Sequence, residues 1–211
     1  MNYREKFSST EQLYLTASLR SVFGGAAFTR WGRKSCPDKS KLMYWGQMAG
    51  PDNYKINGGG SNFQCLPADP ETATELVGQK SVYNHLRPVY LSATEKANVL
   101  SDSKHLPCVV CEATQLPSQV MIPAKTRCPS DWKLEYIGYL MSSASTIGSN
   151  SKTSYICMDS RPESLKAKSS RTDWYGSMLY HATASCDGRG ALDVCPPYKE
   201  DQPLSCVVCT K

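Results

Sequence analysis

Apolar residues fall along this chain in two different rhythms. Near the start, Leu15, Leu19 and Val22 recur at three- and four-residue spacing, the period of one helix face. Ser9 and Gln12 have the spacing of a capping box, in which the hydroxyl accepts from an early backbone N–H and the amide reaches back. Gly24 and Gly25 end the pattern. The spacing predicts one short amphipathic helix within residues 1–25. So short a helix is marginal alone, so it either packs on its own domain or forms a neck against neighbouring chains. From residue 26 onward the rhythm becomes short aromatic and apolar runs broken by Gly and Pro. Leu42-Met43-Tyr44-Trp45 and Leu134-Glu135-Tyr136-Ile137 read as strands. Helices and strands do not alternate, so an all-β fold is expected rather than an α/β sheet.

The strand-rich part is internally repeated. Cys36 to Cys65 and Cys128 to Cys157 have the same spacing, and an offset of 92 residues lays one stretch on the other without a gap. Cys36-Pro37 then falls on Cys128-Pro129, and Lys41-Leu42 on Lys133-Leu134. Tyr44 and Gly46 fall on Tyr136 and Gly138, Cys65 on Cys157, and Pro70-Glu71 on Pro162-Glu163. Each stretch closes on one element, Cys108-Val109-Val110-Cys111 and Cys206-Val207-Val208-Cys209. The expected organisation is a helical segment or neck (1–25), a first β repeat (26–115) and a second (116–211). Segments 50–61, rich in Gly, Asn and Asp, and 142–153, rich in Ser, fall at corresponding places and read as hairpin loops on a common scaffold.

Composition narrows the function classes. A chain of 211 residues with 40% hydrophobic and 20% charged residues can build a packed core rather than remain disordered. With no run of 18 apolar residues, no membrane span is expected. The net charge of +5 is spread out, with small clusters at Arg30, Arg33, Lys34 and at Lys166, Lys168, Arg171. No basic stripe interleaves with aromatics in a nucleic-acid motif, so these charges read as surface solvation and no nucleic-acid partner is expected. The ten cysteines suit an oxidising compartment. The first residues lack the apolar stretch of a secretory signal, so a mature form or a fragment of a secreted protein is expected.

Two C-x-x-C elements would suit zinc or a redox dithiol. They lie far apart, however, and a Val-Val centre favours a strand over the helix start of a redox site. No metal and no cofactor is therefore expected, and structural disulfides are. In an extended strand, residues i and i+3 face opposite sides, so the two cysteines of Cys-Val-Val-Cys should reach different partners. The first repeat offers Cys36 and Cys65, the second Cys128 and Cys157. Cys186 and Cys195, present only in the second repeat, most simply close their own loop around Asp-Gly-Arg-Gly.

The stretch from Leu106 to Met141 carries Cys-Val-Val-Cys-Glu-Ala, Ile122-Pro123, Cys128-Pro129, Trp132 and Ile137-Gly138-Tyr139. With Phe28-Thr29-Arg30 and the ending Cys206-Val207-Val208-Cys209-Thr210-Lys211, it resembles the C-terminal non-collagenous domain of collagen IV. Arg30-Trp31-Gly32-Arg33, Phe63-Gln64-Cys65-Leu66-Pro67 and Cys195-Pro196-Pro197-Tyr198 resemble more closely the related domain of sponge short-chain collagens (spongins) and similar invertebrate secreted proteins. The resemblance covers about residues 26–211. It implies a disulfide-rich all-β fold of two pseudo-symmetric subdomains, with Cys36–Cys111, Cys65–Cys108, Cys128–Cys209 and Cys157–Cys206 bonded and Cys186–Cys195 as the short-loop bond. It also implies a secreted matrix-type module that forms a trimer with copies of itself or related chains by strand exchange. The sequence departs from collagen IV in lacking a Gly-X-Y tract, a third cysteine pair in the first repeat, and the methionines that follow the Tyr90-Leu91-Ser92-Ala93-Thr94 strand. The inter-trimer crosslink of that family is therefore not expected.

Other chemistry is weaker. His85, His105 and His181 have no Gly-x-Ser-x-Gly elbow to serve, so the chain is not expected to be an enzyme. Gly58-Gly59-Gly60-Ser61 lacks the lysine and helix of a phosphate loop, and Arg189-Gly190-Ala191 has Ala where an integrin motif has Asp. The alternative function is a secreted carbohydrate- or pattern-binding module that presents a glycan to loops 50–61 and 142–153, with the many tyrosines as stacking faces.

Overall fold

Alternating burial along the aromatic runs shows how the strands form. In Lys133–Ser143, Tyr136, Gly138 and Leu140 turn inward while Ile137 and Tyr139 face out, the period-two pattern of a strand with one covered face. The structure is a computed structural model and describes residues 24–51, 62–71, 86–91, 105–143, 153–165, 176–186 and 192–211. It contains β1 (Ala27–Trp31), β2 (Ser40–Pro51), β3 (Gln64–Pro67), β4 (Leu86–Leu91) and β5 (Pro107–Ala113), followed by β6 (Gln119–Pro123), β7 (Lys133–Ser143), β8 (Ile156–Asp159), β9 (Ser177–His181) and β10 (Ser205–Thr210). The fold is all-β, as expected, with no helix among the described residues. The helix predicted between Ser9 and Val22 lies outside them, as do His85, the Gly58–Ser61 run, Arg189-Gly190-Ala191 and all but the ends of loops 50–61 and 142–153.

The ten strands form one sheet in the order β6-β10-β7-β8-β1-β5-β2-β4-β9, with β3 also on β2 and β9 also on β7. Within residues 26–115, β5 lies antiparallel between β1 and β2, and β2 also takes β3 and β4. Within 116–211 the same pairings recur: β10 lies between β6 and β7, and β7 takes β8 and β9. Even the irregularity recurs. The β2–β5 register slips between Leu42 and Tyr44, and the β7–β10 register slips opposite Leu134 and Tyr136. Met43 and Glu135, one offset apart, are thus the extra residues of equivalent bulges. Gly46 and Gly138 explain why the third strand of each half packs so closely. A Cβ there would stand 1.6 Å from the Leu66 carbonyl oxygen and 1.9 Å from that of Met158.

Two apolar clusters draw on both halves. One gathers Met48, Phe63, Val89, Leu106 and Cys108 with Met141, Ile156, Met158 and Leu179. The other gathers Phe28, Val109, Cys111 and Ala113 with Tyr136, Leu140, Cys157, Cys206 and Val208. Neither half closes a core without the other.

Candidate functional site

The ten cysteines candidate by spacing are all bonded within the chain. Cys36 joins Cys111, Cys65 joins Cys108, Cys128 joins Cys209, and Cys157 joins Cys206. Cα–Cα distances of 5.7 to 5.9 Å fit unstrained strand-to-strand bridging. Cys186 joins Cys195. These are the pairs that the resemblance implies. The strand geometry gives the reason. Cys108 faces the first apolar cluster and Cys111 the second, so one Cys-Val-Val-Cys strand staples both. With no free cysteine, no thiolate remains for zinc or redox exchange. Among the described residues, no three His, Cys, Asp or Glu side chains gather as a metal site.

His105 and His181 lie apart. His105 precedes β5, with Gln47 Nε2 at 3.2 Å from its Nδ1 and the Tyr90 hydroxyl at 3.1 Å from its Nε2. His181 ends β9 and packs edge-on against the Tyr139 ring.

The built part of the molecule is the junction between its halves, where β8 meets β1 in parallel at Trp31 and Met158. Arg30 Nε donates to Asp159 Oδ2 at 2.8 Å, and both side chains are buried. Arg30 Nη1 donates to the Ser35 carbonyl, and Asp159 Oδ1 accepts from Arg161 N. The guanidinium lies 5.8 Å from the centre of the Tyr136 ring. These partners satisfy both charges, which burial of an ion pair requires. The Tyr136 hydroxyl lies 3.0 Å from the carbonyls of both Thr29 and Cys157 and so ties β1 to β8. Burial, reinforced by the Asp159 carboxylate, pushes its phenol well above the usual tyrosine range, so it stays a neutral donor. Beside it, the bulge turns Glu135 inward. Its carboxylate accepts from Thr210 Oγ1 at 2.7 Å and from Ser40 Oγ of the other half at 2.8 Å, and pairs with Lys133 Nζ at 2.7 Å.

The offset of 92 maps this junction onto a more exposed surface of the first half. Tyr136 is 4% exposed and its equivalent Tyr44 is 37%; Met158 is 1% exposed and Leu66 is 38%. Glu135 is 6% exposed and Met43 is 56%. On the second half Tyr136 and Met158 lie against β1, through the Thr29 carbonyl and the Trp31 pairing, and Glu135 meets Ser40 of β2. On the first half nothing among the described residues takes that place, and β3 pairs only with β2. The strand equivalent to β1 is β6, which ends the strand order with one edge unpaired among the described residues and Val120 exposed. Sequence reading missed this asymmetry because Tyr44 and Tyr136 are the same residue type.

The described residues form a disulfide-rich all-β fold of two similarly paired halves, with the outer edges of β3 and β6 unpaired among them. No known protein-family model matches the sequence.

Proposed function

We propose that the chain is a secreted, extracellular-matrix-type structural module that self-associates as a trimer, resembling the non-collagenous assembly domain of collagens. The observation that carries the reading is the unequal burial of equivalent positions: Tyr136 and Met158 are covered within the chain, whereas Tyr44 and Leu66 are not. If the halves were related by a closed two-fold, both surfaces would be covered. Among the described residues only one is, so the remaining contact joins unlike edges, β3 of one copy and β6 of the next. Such head-to-tail contacts generate a ring or a filament, and the resemblance favours a ring of three. The exposed residues are large and apolar and lie on the side that forms a core in the other half, as expected of a face that becomes interior on assembly. Five disulfides fit a protein of the oxidising extracellular space. The duplication read from the sequence explains why one junction within the chain should have a counterpart between chains.

Light scattering coupled to size-exclusion chromatography tests the reading. The protein at micromolar concentration should elute with the mass of three chains. A mass of one chain throughout that range would overturn it.

A further inference from the structure

The junction within the chain is more than a strand contact, because a charged turn locks it. After β1 the backbone turns at Gly32 (φ 84°), where the peptide carbonyl accepts from Glu163 N at 2.6 Å. The Glu163 carboxylate accepts from Lys34 N at 3.1 Å and lies 3.2 Å from Arg33 Nε. Arg33 Nη1 donates to the Arg161 carbonyl at 2.9 Å. Glu163 therefore holds the turn by its backbone and its charge together.

The offset of 92 turns these residues into Ala124, Lys125, Thr126 and Glu71. The two turns have the same shape. Ala124 has φ 55°, uncommon for a residue other than glycine. Gly32 N donates to Pro107 O at 2.9 Å, and Ala124 N donates to the equivalent Ser205 O at 2.8 Å. The charges also correspond, with Lys125 for Arg33 and Glu71 for Glu163. Arg33 and Glu163 meet inside the chain, however, while Lys125 and Glu71 sit at opposite open edges, both exposed and without an ion-pair partner among the described residues. Glu71 directly follows Pro70, which with Trp45, Leu66, Pro67 and Leu86 lines an open groove of about 730 Å3.

We propose that a second copy of this chain seats its Ala124–Thr126 turn in this groove, with its Lys125 paired to Glu71. The proposal rests on the self-association reading above and names its contact. In this contact Glu71 N donates to the Ala124 carbonyl, and Thr126 N donates to the Glu71 carboxylate, as Glu163 N and Lys34 N do within the chain. The buried Arg30–Asp159 pair has the apolar equivalents Ile122 and Pro67, so the contact between copies desolvates no ion pair at that point. Ala124 brings a methyl where Gly32 has none. A Cβ at Gly32 would stand 2.6 Å from the buried Met158 Sδ, whereas the methyl of Ala124 meets Leu66, which is 38% exposed in one copy.

Charge reversal tests this contact. Glu71→Lys and Lys125→Glu are exposed substitutions that leave the core and the five disulfides untouched, which circular dichroism and non-reducing peptide mapping verify. Each alone should weaken association about tenfold or more by opposing like charges, and the double variant should return to within about threefold of the original. If the unaltered protein assembles but the single variants match it, or the double variant fails to recover, this contact is wrong while self-association stands. If the unaltered protein is monomeric at micromolar concentration, both the contact and the self-association reading fall.

Discussion

Tyr44 and Tyr136 offer a matched pair of substitutions, identical in chemistry and equivalent in position but unequal in burial. Tyr136→Ala removes a ring that is 4% exposed. A buried aromatic of this size covers about 150–250 Å2, worth about 4–6 kcal/mol at 25 cal/mol/Å2 as an upper bound. The Thr29 and Cys157 carbonyls lose their shared donor, a further cost of about 1 kcal/mol. Aromatic truncations in cores cost about 3–5 kcal/mol, so about 4–5 kcal/mol is expected here. At about 2–4 °C per kcal/mol for a chain of this size, the midpoint should fall by about 10–15 °C. Tyr44→Ala should cost the monomer only about 1–2 kcal/mol, since the ring already meets solvent on one side. Its effect should appear instead in the dissociation constant of the assembly. Urea titration at high dilution, read by circular dichroism, gives the monomer cost, and sedimentation velocity at micromolar concentration gives the association cost. Equal monomer costs for the two variants would refute the claim that the β1–β8 junction is completed within the chain and its β6–β3 counterpart is not. So would association unaffected by Tyr44→Ala.

Three further outcomes follow from the same geometry. Asp159→Ala leaves Arg30 buried without its carboxylate and should destabilise the chain by about 3–5 kcal/mol in urea titration; a cost under about 1 kcal/mol would show that the pair is not desolvated. A hydrogen bond from Lys211 holds the Asp131 carboxyl below its usual range. A carboxyl depressed in this way adds stability above its unfolded value and loses it as pH falls through the folded one. The NMR titration midpoint of Asp131 should therefore rise in Lys211→Met, and an unchanged midpoint would contradict the pairing. Replacing Cys36 and Cys111 by Ser frees a loop with a sequence separation of 75, and replacing Cys186 and Cys195 frees one of 9. The chain-entropy model gives about 4.5 and about 2.5 kcal/mol, so the first pair should lower the thermal midpoint more; the reverse order would contradict it.

Much of the scaffold was legible because it is local or repeated. Leu42–Trp45 and Leu134–Ile137 announce strands by composition, and both lie in strands β2 and β7. The i, i+3 spacing of Cys108 and Cys111 implies opposite faces in any strand, whatever the partners. The offset that laid Pro70-Glu71 on Pro162-Glu163 already held half of the charged contact. It did not reveal that Glu163 finds Arg33 inside the chain while Glu71 finds no counterpart among the described residues. Burial is a property of neighbours, and identical residues such as Tyr44 and Tyr136 carry no mark of it. The parallel pairing of β4 with β9 was equally silent, since it joins distant segments with no turn between them to signal it. The inward Glu135 reads in sequence as an exposed charge. Only the bulge and three donors, Ser40, Lys133 and Thr210, turn it into an interior group.

Hydrogen exchange, compared between dilute and concentrated protein, tests the joining of unlike edges most directly. Amides of β3 (residues 64–67) and β6 (residues 119–123) should gain protection together as concentration rises, while those of β1 and β8 are equally protected throughout. Protection gained at only one of the two edges, or at neither, would contradict it.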